Sequence, residues 1–320
     1  MEVSYNERGV KYGKTCTKKK ARKGRIFVTI LVALLILVGV VAVIGYFQYQ
    51  SSLKEAQNES KLKDYKFNGA KAVGDEINVL LIGSDSRGED QGRSDSLMIA
   101  HYNTKTNTPK LVSIMRDTYV DIPGHGKNKI NAAYSYGGPE LVRQTIKENF
   151  GVDVQYYVVA NFEGFPKIVD TLAPEGIKIN AEKDMSKNID ANIKKGEQVM
   201  DGKTLLQYAR FRKDAEGDFG RIRRQQQVLE ALKEQAIDVG DVGKIPDVIG
   251  KLQGYSSTNI PTGTLMSIGA DFLLGKTETM EKFAIPVEGK WHNERIDGAG
   301  AVLRLDDMAA NAKALQDFLK

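Results

Sequence analysis

Residues 77–103, INVLLIGSDSRGEDQGRSDSLMIAHYN, contain two apolar runs separated by a polar and charged segment. The first run, INVLLIG (77–83), is nearly continuous, as is typical of a strand that is buried on both faces of a sheet. The second run, SLMIAHYN (96–103), has the length and composition of another strand. The stretch therefore predicts two strands of a buried sheet, with charged residues at their ends.

The rest of the chain alternates between strand and helix patterns. Residues 109–122 and 152–162 are rich in β-branched and apolar residues and are predicted strands. Pro139 and Gly151 suit the first turn and the C-terminal stop of a helix over 137–151. The other predicted elements are helices at 163–172, 201–212, 221–237, 262–274 and 306–320, an edge strand at 176–180 and a strand at 282–287. This order predicts an α/β fold with a mixed central β-sheet sandwiched between helix layers (α-β-α).

An uncharged apolar segment, IFVTILVALLILVGVVAVIGYF (26–47), lies near the N-terminus. As an α-helix it would rise about 33 Å, enough to cross a bilayer. Six Lys and Arg residues lie just before it, at 18–25, which favours a cytoplasmic N-terminus and an extracellular location for the bulk of the chain. A cleaved signal peptide is the alternative, but its apolar core is usually shorter, and no small-residue cleavage site follows directly. We therefore predict one N-terminal transmembrane helix, a single-pass anchor in the cell membrane.

Charge and composition divide the chain into four parts. Residues 1–25 carry nine Lys and Arg against two Glu, a net charge of +7, so the remainder of a chain with +5 carries −2. A near-neutral remainder argues against a nucleic-acid partner. The predicted parts are a basic cytoplasmic tail (1–25), a transmembrane helix (26–47), a linker that is a helical stalk or a flexible tether (48–74), and an extracytoplasmic domain (75–320). The one cysteine, Cys16, lies in the tail, and an exported domain without disulfides favours a Gram-positive bacterium.

Charged side chains gather at the predicted ends of strands and helices. Asp85 and Arg87 follow the first strand, Arg93 and Asp95 precede the second, and Arg116 interrupts the apolar run that comes next. Further polar and charged residues at such places are Asp117, Lys129, Asn131, Arg210, Arg212, Asp218, Arg221 and Arg224. Guanidinium groups bind phosphate oxygens in a bidentate manner, and paired carboxylates hold Mg²⁺ together with substrate phosphates. The pattern therefore indicates a site for a pyrophosphate and a metal ion.

The alternative without a functional role is that these charged side chains form structural ion pairs. Any single Arg–Asp pair is more often structural than functional, and only the repetition over several segments favours a site.

Other kinds of catalytic or metal site have weaker support in the sequence. The three histidines, His101, His125 and His292, lack the spacing of zinc ligands, and the chain has neither a G-x-S-x-G nor a Walker A motif. A nucleophilic Ser84 or Ser86 would lack a neighbouring His or Lys base in the motif.

Five motifs in order resemble the LytR-CpsA-Psr family. They are NVLLIGSDSR, GRSDSLMIA, LVSIMRDTYVDIPGHGKNKINAAYSYGG, YYVVANFEGFPKIVD and LLQYARFRKDAEGDFGRIRRQQQVL, and they cover residues 78–229. The resemblance implies a bacterial phosphotransferase on the outer face of the membrane. Such an enzyme moves a glycopolymer (teichoic acid, capsule or similar) from undecaprenyl pyrophosphate onto peptidoglycan and forms a phosphodiester bond. It also implies an apolar cleft for the polyprenyl tail.

The resemblance assigns roles to individual residues. Asp85 and Asp95 would hold Mg²⁺ or Mn²⁺ or activate the acceptor hydroxyl, and Arg116 would join them as a catalytic residue. The pyrophosphate would be bound by Arg87, Arg93, Arg116, Arg210, Arg212, Arg221 and either Gln225 or Gln226. Met115 replaces a frequent Pro, and TLAPEGIKIN replaces a more usual Gly-Gly-Val stretch, but no charged site residue is missing.

The place of Arg116 within the predicted strand 109–122 leads to a prediction about the partner of its side chain. A buried guanidinium needs an anionic partner. Asp117 is its neighbour, but neighbours on a regular strand point to opposite faces. A substrate phosphate is therefore the expected partner.

Two other functions stay open at the level of the sequence. One is a hydrolase that only cleaves the lipid pyrophosphate. The other is a non-enzymatic membrane-anchored regulator that uses its basic tail, although 25 residues leave no room for a DNA-binding fold, and lysines beside a membrane span are expected anyway.

Overall fold

The computed structural model describes residues 18–60, 62–72, 74–85, 92–235, 242–273 and 277–320. The chain divides into two compact units, which meet between Phe47 and Gln48. Helix α1 (Lys18–Ser60) runs through this boundary. In the first unit, apolar side chains of α1 such as Leu35 and Phe47 are largely exposed. Helix α1 is long and apolar enough to cross a membrane, with a candidate span over Leu34–Ser60, which is consistent with the predicted anchor.

In the second unit, the described residues form twelve strands and seven further α-helices. The strands are β1 (Glu76–Ser84), β2 (Ser94–Asn103), β3 (Thr108–Ile114), β4 (Thr118–Ile122), β5 (Gly126–Lys129), β6 (Tyr156–Asn161), β7 (Ile177–Ala181), β8 (Gly196–Met200), β9 (Ser257–Thr258), β10 (Glu281–Ile285), β11 (Trp291–Ile296) and β12 (Gly300–Leu305). The helices are α2 (Ile130–Phe150), α3 (Gly164–Leu172), α4 (Gly202–Arg210), α5 (Gly217–Gln235), α6 (Ile245–Gly254), α7 (Thr262–Leu273) and α8 (Met308–Leu319).

The central sheet has six strands in the order β10-β3-β2-β1-β6-β9. It is mixed, because β1 pairs in parallel with β6 and β3 with β10, whereas β1–β2 and β2–β3 are antiparallel. Alternate residues of β1 show the two covered faces: Leu80 and Ile82 lie in a core with α2 and α8, and Leu81 faces α3, α5, α6 and α7. The predicted α-β-α class is therefore confirmed.

The predicted single strand over 109–122 is wrong. β3 ends at Ile114 in the central sheet, and β4 begins at Thr118 in a second, four-stranded sheet of order β11-β12-β4-β5. A turn separates them: the Thr118 backbone N–H and its Oγ1 both donate to the Met115 carbonyl, at 3.0 and 2.6 Å. The apolar pattern continues through the turn because Met115 is itself buried. Arg116 consequently lies in a turn between two sheets.

Pro139 and Gly151 lie in helix α2 where the sequence predicts a first turn and a C-terminal stop. It is interrupted at Gly138, whose φ of 63° suits a glycine, and Pro139 begins the second half. It ends at Gly151, whose φ is 70° and whose N–H donates to the Lys147 carbonyl. The predicted helix over 137–151 is thus the second half of α2, and the first half begins at Ile130.

Candidate active site

Asp85 and Asp95 of the opening stretch lie at one edge of the central sheet. β1 and β2 are antiparallel and pair Ser84 with Ser94, so the end of one strand meets the beginning of the other. The Asp85 N–H donates to the Arg93 carbonyl at 3.2 Å, and the Arg93 N–H donates to Asp85 Oδ1 at 2.5 Å. Asp95 is the second residue of β2. The pairing therefore brings Asp85 and Asp95 to the same edge, whereas Arg87 lies outside the described residues.

Arg116 lies among three carboxylates. Its Nη1 donates to Asp95 Oδ1 at 2.6 Å, and its Nε is 3.4 Å from Asp218 Oδ2 and 3.6 Å from Asp117 Oδ2. The expectation that Asp117 would point away from Arg116 is wrong, because the turn lets neighbouring side chains converge. A substrate phosphate is therefore not required to neutralise this guanidinium.

The environment of Arg116 keeps it charged. Burial would lower its pKa, but the charges of Asp117, Asp218 and Asp95 together raise it above its ordinary value. Its buried Nε has no hydrogen-bond partner within the described part of the chain. Arg116 thus holds three acidic side chains at the sheet edge.

The N-terminal turn of α5 supplies a second group of charges. Asp218 lies 3.3 Å from Arg221 Nη2, 3.9 Å from Arg212 Nη1 and, as described above, 3.4 Å from Arg116. Arg221 is only 5% exposed, and burial lowers its pKa. Asp218 therefore lies close to three of the arginines predicted from the sequence and is a candidate site residue that the sequence pattern alone did not assign. Its spacing of three residues before Arg221 on a helix was the available signal.

A polar cavity of about 330 Å³ adjoins this group. Arg93, Arg116, Asp117, Lys129 and Asn131 are among its lining residues. Lys129 Nζ is 3.1 Å from Asp117 Oδ1. The cavity shows that Arg93, which is exposed, borders the same space as Arg116.

Arg210 reaches the edge from a different direction. Its guanidinium carbon is 3.9 Å from the centroid of the Phe162 ring, a cation–π contact. Phe162 follows Asn161, which pairs with Ser84 across the parallel strands β1 and β6. Asp85 and Phe162 therefore leave the sheet at the same edge. Among the described contacts, however, Arg210 forms no ion pair with the acidic residues around Arg116.

The structure distinguishes the two candidate glutamines. Gln225 Oε1 accepts a hydrogen bond from Ser96 Oγ at 3.2 Å, next to Asp95. Gln226 Nε2 instead donates to Ser113 Oγ at 2.9 Å and to the Phe283 carbonyl at 3.1 Å, which ties α5 to the central sheet. Gln225 is therefore the glutamine closer to the acidic edge.

Asp85 and Asp95 suit a magnesium or manganese ion by their chemistry. Both offer carboxylate oxygens at one edge, both are partly exposed, and such cations take one or two carboxylates together with phosphate oxygens. One oxygen of each, Oδ1, is held by Arg93 N–H or Arg116 Nη1. These contacts orient the two carboxylates at the edge.

Another acidic cluster lies near the site, but basic residues neutralise it. Glu182, Asp214 and Glu216 bring one oxygen each within 4.8 Å of one another. Lys183, Arg223 and Arg224 form ion pairs with them at 2.5–3.3 Å. The lowered pKa values of Asp214 and Glu216, the latter about 2, reflect these bonds and charges. The cluster is therefore a salt-bridge network.

Arg224 is the buried centre of this network and carries a stability prediction. It is fully buried, and it donates to Glu182 (2.6 Å), Asp214 (3.0 Å) and the Phe211 carbonyl (2.6 Å). We expect Arg224→Ala to lower the free energy of unfolding by about 3–5 kcal/mol, because it removes a fully buried cation from the network and leaves the Phe211 carbonyl without its donor. Arg223→Ala, at a half-exposed neighbour that pairs with Glu182 and Glu216, should cost about 1 kcal/mol or less. Denaturant unfolding checks both values, and equal costs would contradict this account.

An apolar pocket of about 290 Å³ lies on the face of the central sheet that Leu81 shares with α3, α5, α6 and α7. Its floor is formed by Leu81, Ala100 and Leu111 of three adjacent central strands. Its walls are apolar side chains of α3, α5, α6 and α7, including Leu172, Leu229, Leu232, Val248, Leu252 and Phe272. Leu81 precedes Asp85 by four residues, about 13 Å along a strand. An apolar pocket thus lies beside a charged edge.

Sequence comparison relates the chain to proteins named MsrR and TagU. The regulatory protein MsrR of Staphylococcus aureus strain COL is 42% identical over 272 residues, which cover 85% of this chain and 83% of MsrR. The polyisoprenyl-teichoic acid–peptidoglycan teichoic acid transferase TagU of Bacillus mycoides strain KBAB4 is 34% identical, over 78% of this chain and 83% of TagU.

Comparison with solved structures and with family models agrees with these relatives. The structure of TagT bound to LIIa-WTA matches with a TM-score of 0.61 and 25% identity, and it covers 81% of this chain and 98% of TagT. The LytR_cpsA_psr family model matches residues 41–314, which include every strand and helix of the second unit except the end of α8. The chain therefore belongs to the LytR-CpsA-Psr family.

Proposed function

We propose that this protein transfers a glycopolymer from a polyprenyl-pyrophosphate carrier onto peptidoglycan and forms a phosphodiester bond. The observation that carries the proposal is the apolar pocket beside an edge where Asp85, Asp95 and several arginines meet. A lipid pyrophosphate has the same two parts, an apolar chain and a dianionic head. The transferase name of TagU and the LIIa-WTA bound to TagT support a teichoic acid or similar wall polymer as the cargo.

The arginines suit the pyrophosphate. Arg93, Arg212 and Arg221 stand around the acidic edge, and Arg210 reaches it over Phe162. Guanidinium groups hold phosphate oxygens bidentately and stabilise the charge that develops on a leaving phosphate. The Nε of Arg221 is buried and has no hydrogen-bond partner among the described residues. The polyprenyl tail would lie along Leu81, Ala100 and Leu111 in the apolar pocket.

Asp85 and Asp95 would hold Mg²⁺ or Mn²⁺ with their carboxylates. The bound ion would neutralise charge on the pyrophosphate oxygens. The carboxylates are held in place by Arg93 N–H and Arg116, so their orientation does not depend on the substrate. Phosphoryl transfer depends mainly on the positioning of the reacting groups and on stabilisation of charge. This arrangement supplies positioning and charge and needs no covalent bond to the protein.

The reaction is an in-line displacement at phosphorus. A peptidoglycan sugar hydroxyl attacks the phosphorus that carries the glycopolymer, an oxygen–phosphorus bond forms, and the bond to the bridging oxygen breaks. Polyprenyl phosphate leaves with the bonding electrons, and the arginines stabilise its charge. The hydroxyl proton passes to solvent, or to one of the two carboxylates if that carboxylate does not hold the ion, and the product is a phosphodiester.

The fate of a labelled polymer tests this function. Full-length protein in vesicles receives a polyprenyl-pyrophosphate donor with a labelled glycan, together with peptidoglycan. We expect label that stays bound to peptidoglycan after detergent extraction and is released by cleavage of the phosphodiester. Label free in solution would instead show a lipid pyrophosphate hydrolase. No turnover of donor, with an effect in cells that depends on residues 1–25, would favour the regulatory role that the name of MsrR suggests.

We expect the catalytic domain to lie outside the cell. The basic residues before the apolar part of α1 favour a cytoplasmic N-terminus. Protease added to intact protoplasts should therefore degrade the chain beyond Phe47 and leave an N-terminal tag protected. Degradation of the tag with protection of the large domain would reverse the orientation.

A further inference from the structure

Three side chains of the longest sequence motif, which the proposed function has not used, lie together beside the polar cavity. Tyr136, the residue before the interruption of α2, is 48% exposed. Its ring stacks on that of His125, with the centroids 4.6 Å apart and the ring planes at 18°. Its hydroxyl accepts a hydrogen bond from Asn128 Nδ2 at 3.0 Å. The ring of Tyr136 is therefore held by two partners although about half of the residue is exposed.

The cavity that Tyr136 lines has side chains of two kinds. Arg93, Arg116 and Lys129 are charged, and Arg116 also binds Asp95 at the acidic edge. The neutral lining residues include Asn128, Ser135 and Tyr136. The cavity thus combines an aromatic ring and neutral polar groups with direct access to the charged site.

This combination suits a sugar ring. The face of an aromatic ring carries partial negative charge, so it attracts the polarised C–H groups on the face of a sugar. Amide and hydroxyl side chains such as Asn128 and Ser135 offer donors and acceptors to the sugar hydroxyls. A volume of about 330 Å³ is near the lower end of ligand pockets, about 300–1,000 Å³, and fits one sugar residue.

The cavity and the apolar pocket lie on opposite faces of the central sheet. Helix α2, which supplies Ser135 and Tyr136 to the cavity, packs on the face of Leu80 and Ile82. The apolar pocket lies on the face of Leu81. Both adjoin the edge where β1 ends and β2 begins. A molecule in the cavity would consequently approach this edge from the side opposite to a chain in the pocket.

Another groove, of about 650 Å³, lies on the side of the apolar pocket. Phe162 and Lys203 line it together with Lys167 and Asp170 of α3, and the next two residues of that helix line the apolar pocket. A sugar in this groove would lie on the same side of the central sheet as the lipid tail.

We propose that the polar cavity is the acceptor subsite, in which one sugar ring of peptidoglycan stacks on Tyr136 and presents its hydroxyl to the acidic edge. The inference rests on the proposed function. In-line displacement places the attacking hydroxyl and the leaving polyprenyl phosphate on opposite sides of the phosphorus. Because the lipid tail lies in the apolar pocket, the acceptor enters from the side of α2. Tyr136 binds the acceptor, and His125 and Asn128 are positioning residues that fix its ring.

The first test measures the two substrates of full-length protein in vesicles separately. The acceptor is a soluble, peptide-free glycan fragment of peptidoglycan. We expect Tyr136→Ala to raise the KM for this fragment by about tenfold and to leave the KM for the lipid donor within about twofold of the wild type. Tyr136→Phe, which keeps the ring, should stay within about threefold for both substrates. His125→Ala, at an exposed residue whose loss spares the fold, should raise only the acceptor KM, by about threefold.

The matched control is Lys203→Ala, at an exposed lysine of the other groove, and it should leave both KM values unchanged. An acceptor KM that responds to Lys203→Ala and not to Tyr136→Ala would move the acceptor to that groove. A donor KM that rises in Tyr136→Ala while the acceptor KM does not would mean that the cavity holds the glycan of the donor. Either result would overturn the acceptor subsite.

The second test does not depend on turnover. Saturation-transfer difference NMR follows binding of the same glycan fragment to full-length protein without donor. We expect saturation of sugar-ring protons by the wild type and by Tyr136→Phe, and its loss in Tyr136→Ala. Equal saturation by Tyr136→Ala would overturn the subsite, even if the wild type transfers polymer. Binding that depends on Tyr136, in a wild type that transfers no polymer, would overturn the proposed function alone.

Discussion

Asp85→Asn and Asp95→Asn should each lower transfer of glycopolymer to peptidoglycan by about 100-fold or more, the scale expected when a group that stabilises the transition state is lost. Asparagine keeps the size of the side chain but removes the negative charge that a divalent cation requires. The Arg93 N–H can still donate to the amide oxygen of an asparagine at position 85, and Arg116 keeps Asp117 and Asp218 as partners when Asp95 is changed. The fold should therefore survive both substitutions.

A control variant tests whether transfer depends on the carboxylates at the site or falls with the loss of any exposed carboxylate. Asp153→Asn removes a half-exposed carboxylate that pairs only with Lys147 among the described residues, and it should leave transfer unchanged. Binding of Mn²⁺, followed by electron paramagnetic resonance, should weaken in both site variants and not in the control. Transfer that persists in the wild type after chelation, or Mn²⁺ binding that is unaffected in the Asp85 and Asp95 variants, would remove the metal from the mechanism.

The sequence predicted the parts of the site that depend on local pattern. The apolar run of 77–83 ends where β1 ends, so the pattern alone places Asp85 at a sheet edge. Gly151 and Pro139 marked one helix correctly, because the backbone preferences of glycine and proline act locally. Helix α5 also matched its pattern, and with it Arg221.

What the sequence could not predict depends on contacts between distant segments. The break after Ile114 was missed because Met115 is buried by Ile222 and Leu303, so its burial resembles that of a continuous strand. Asp218 was omitted because its importance comes from arginines at 116, 212 and 221, which only the fold brings together. Residues 240–320 carry no usable motif, yet they supply α6, α7 and the strands β11 and β12 of the four-stranded sheet.

Arg116→Lys should impair transfer nearly as much as Arg116→Ala, by about 100-fold. The guanidinium reaches Asp95 with Nη1 and lies near Asp117 and Asp218 with Nε at the same time. A lysine ammonium is a single point charge and cannot occupy both positions. Arg304→Lys, at an exposed arginine that pairs with Glu294, is the matched control and should keep full activity. Near-normal transfer by Arg116→Lys would reduce the role of Arg116 to a diffuse positive charge.

A double variant decides what Arg116 contributes. Arg116→Ala leaves Asp95, Asp117 and Asp218 facing one another with less compensation, so its thermal midpoint should fall as well as its activity. Asp218→Asn added to Arg116→Ala removes one of these negative charges and should restore part of the midpoint. If Arg116 also binds the substrate pyrophosphate, transfer stays low in the double variant, and this is the result we expect. Recovery of transfer together with the midpoint would mean that Arg116 only neutralises the acidic residues around it.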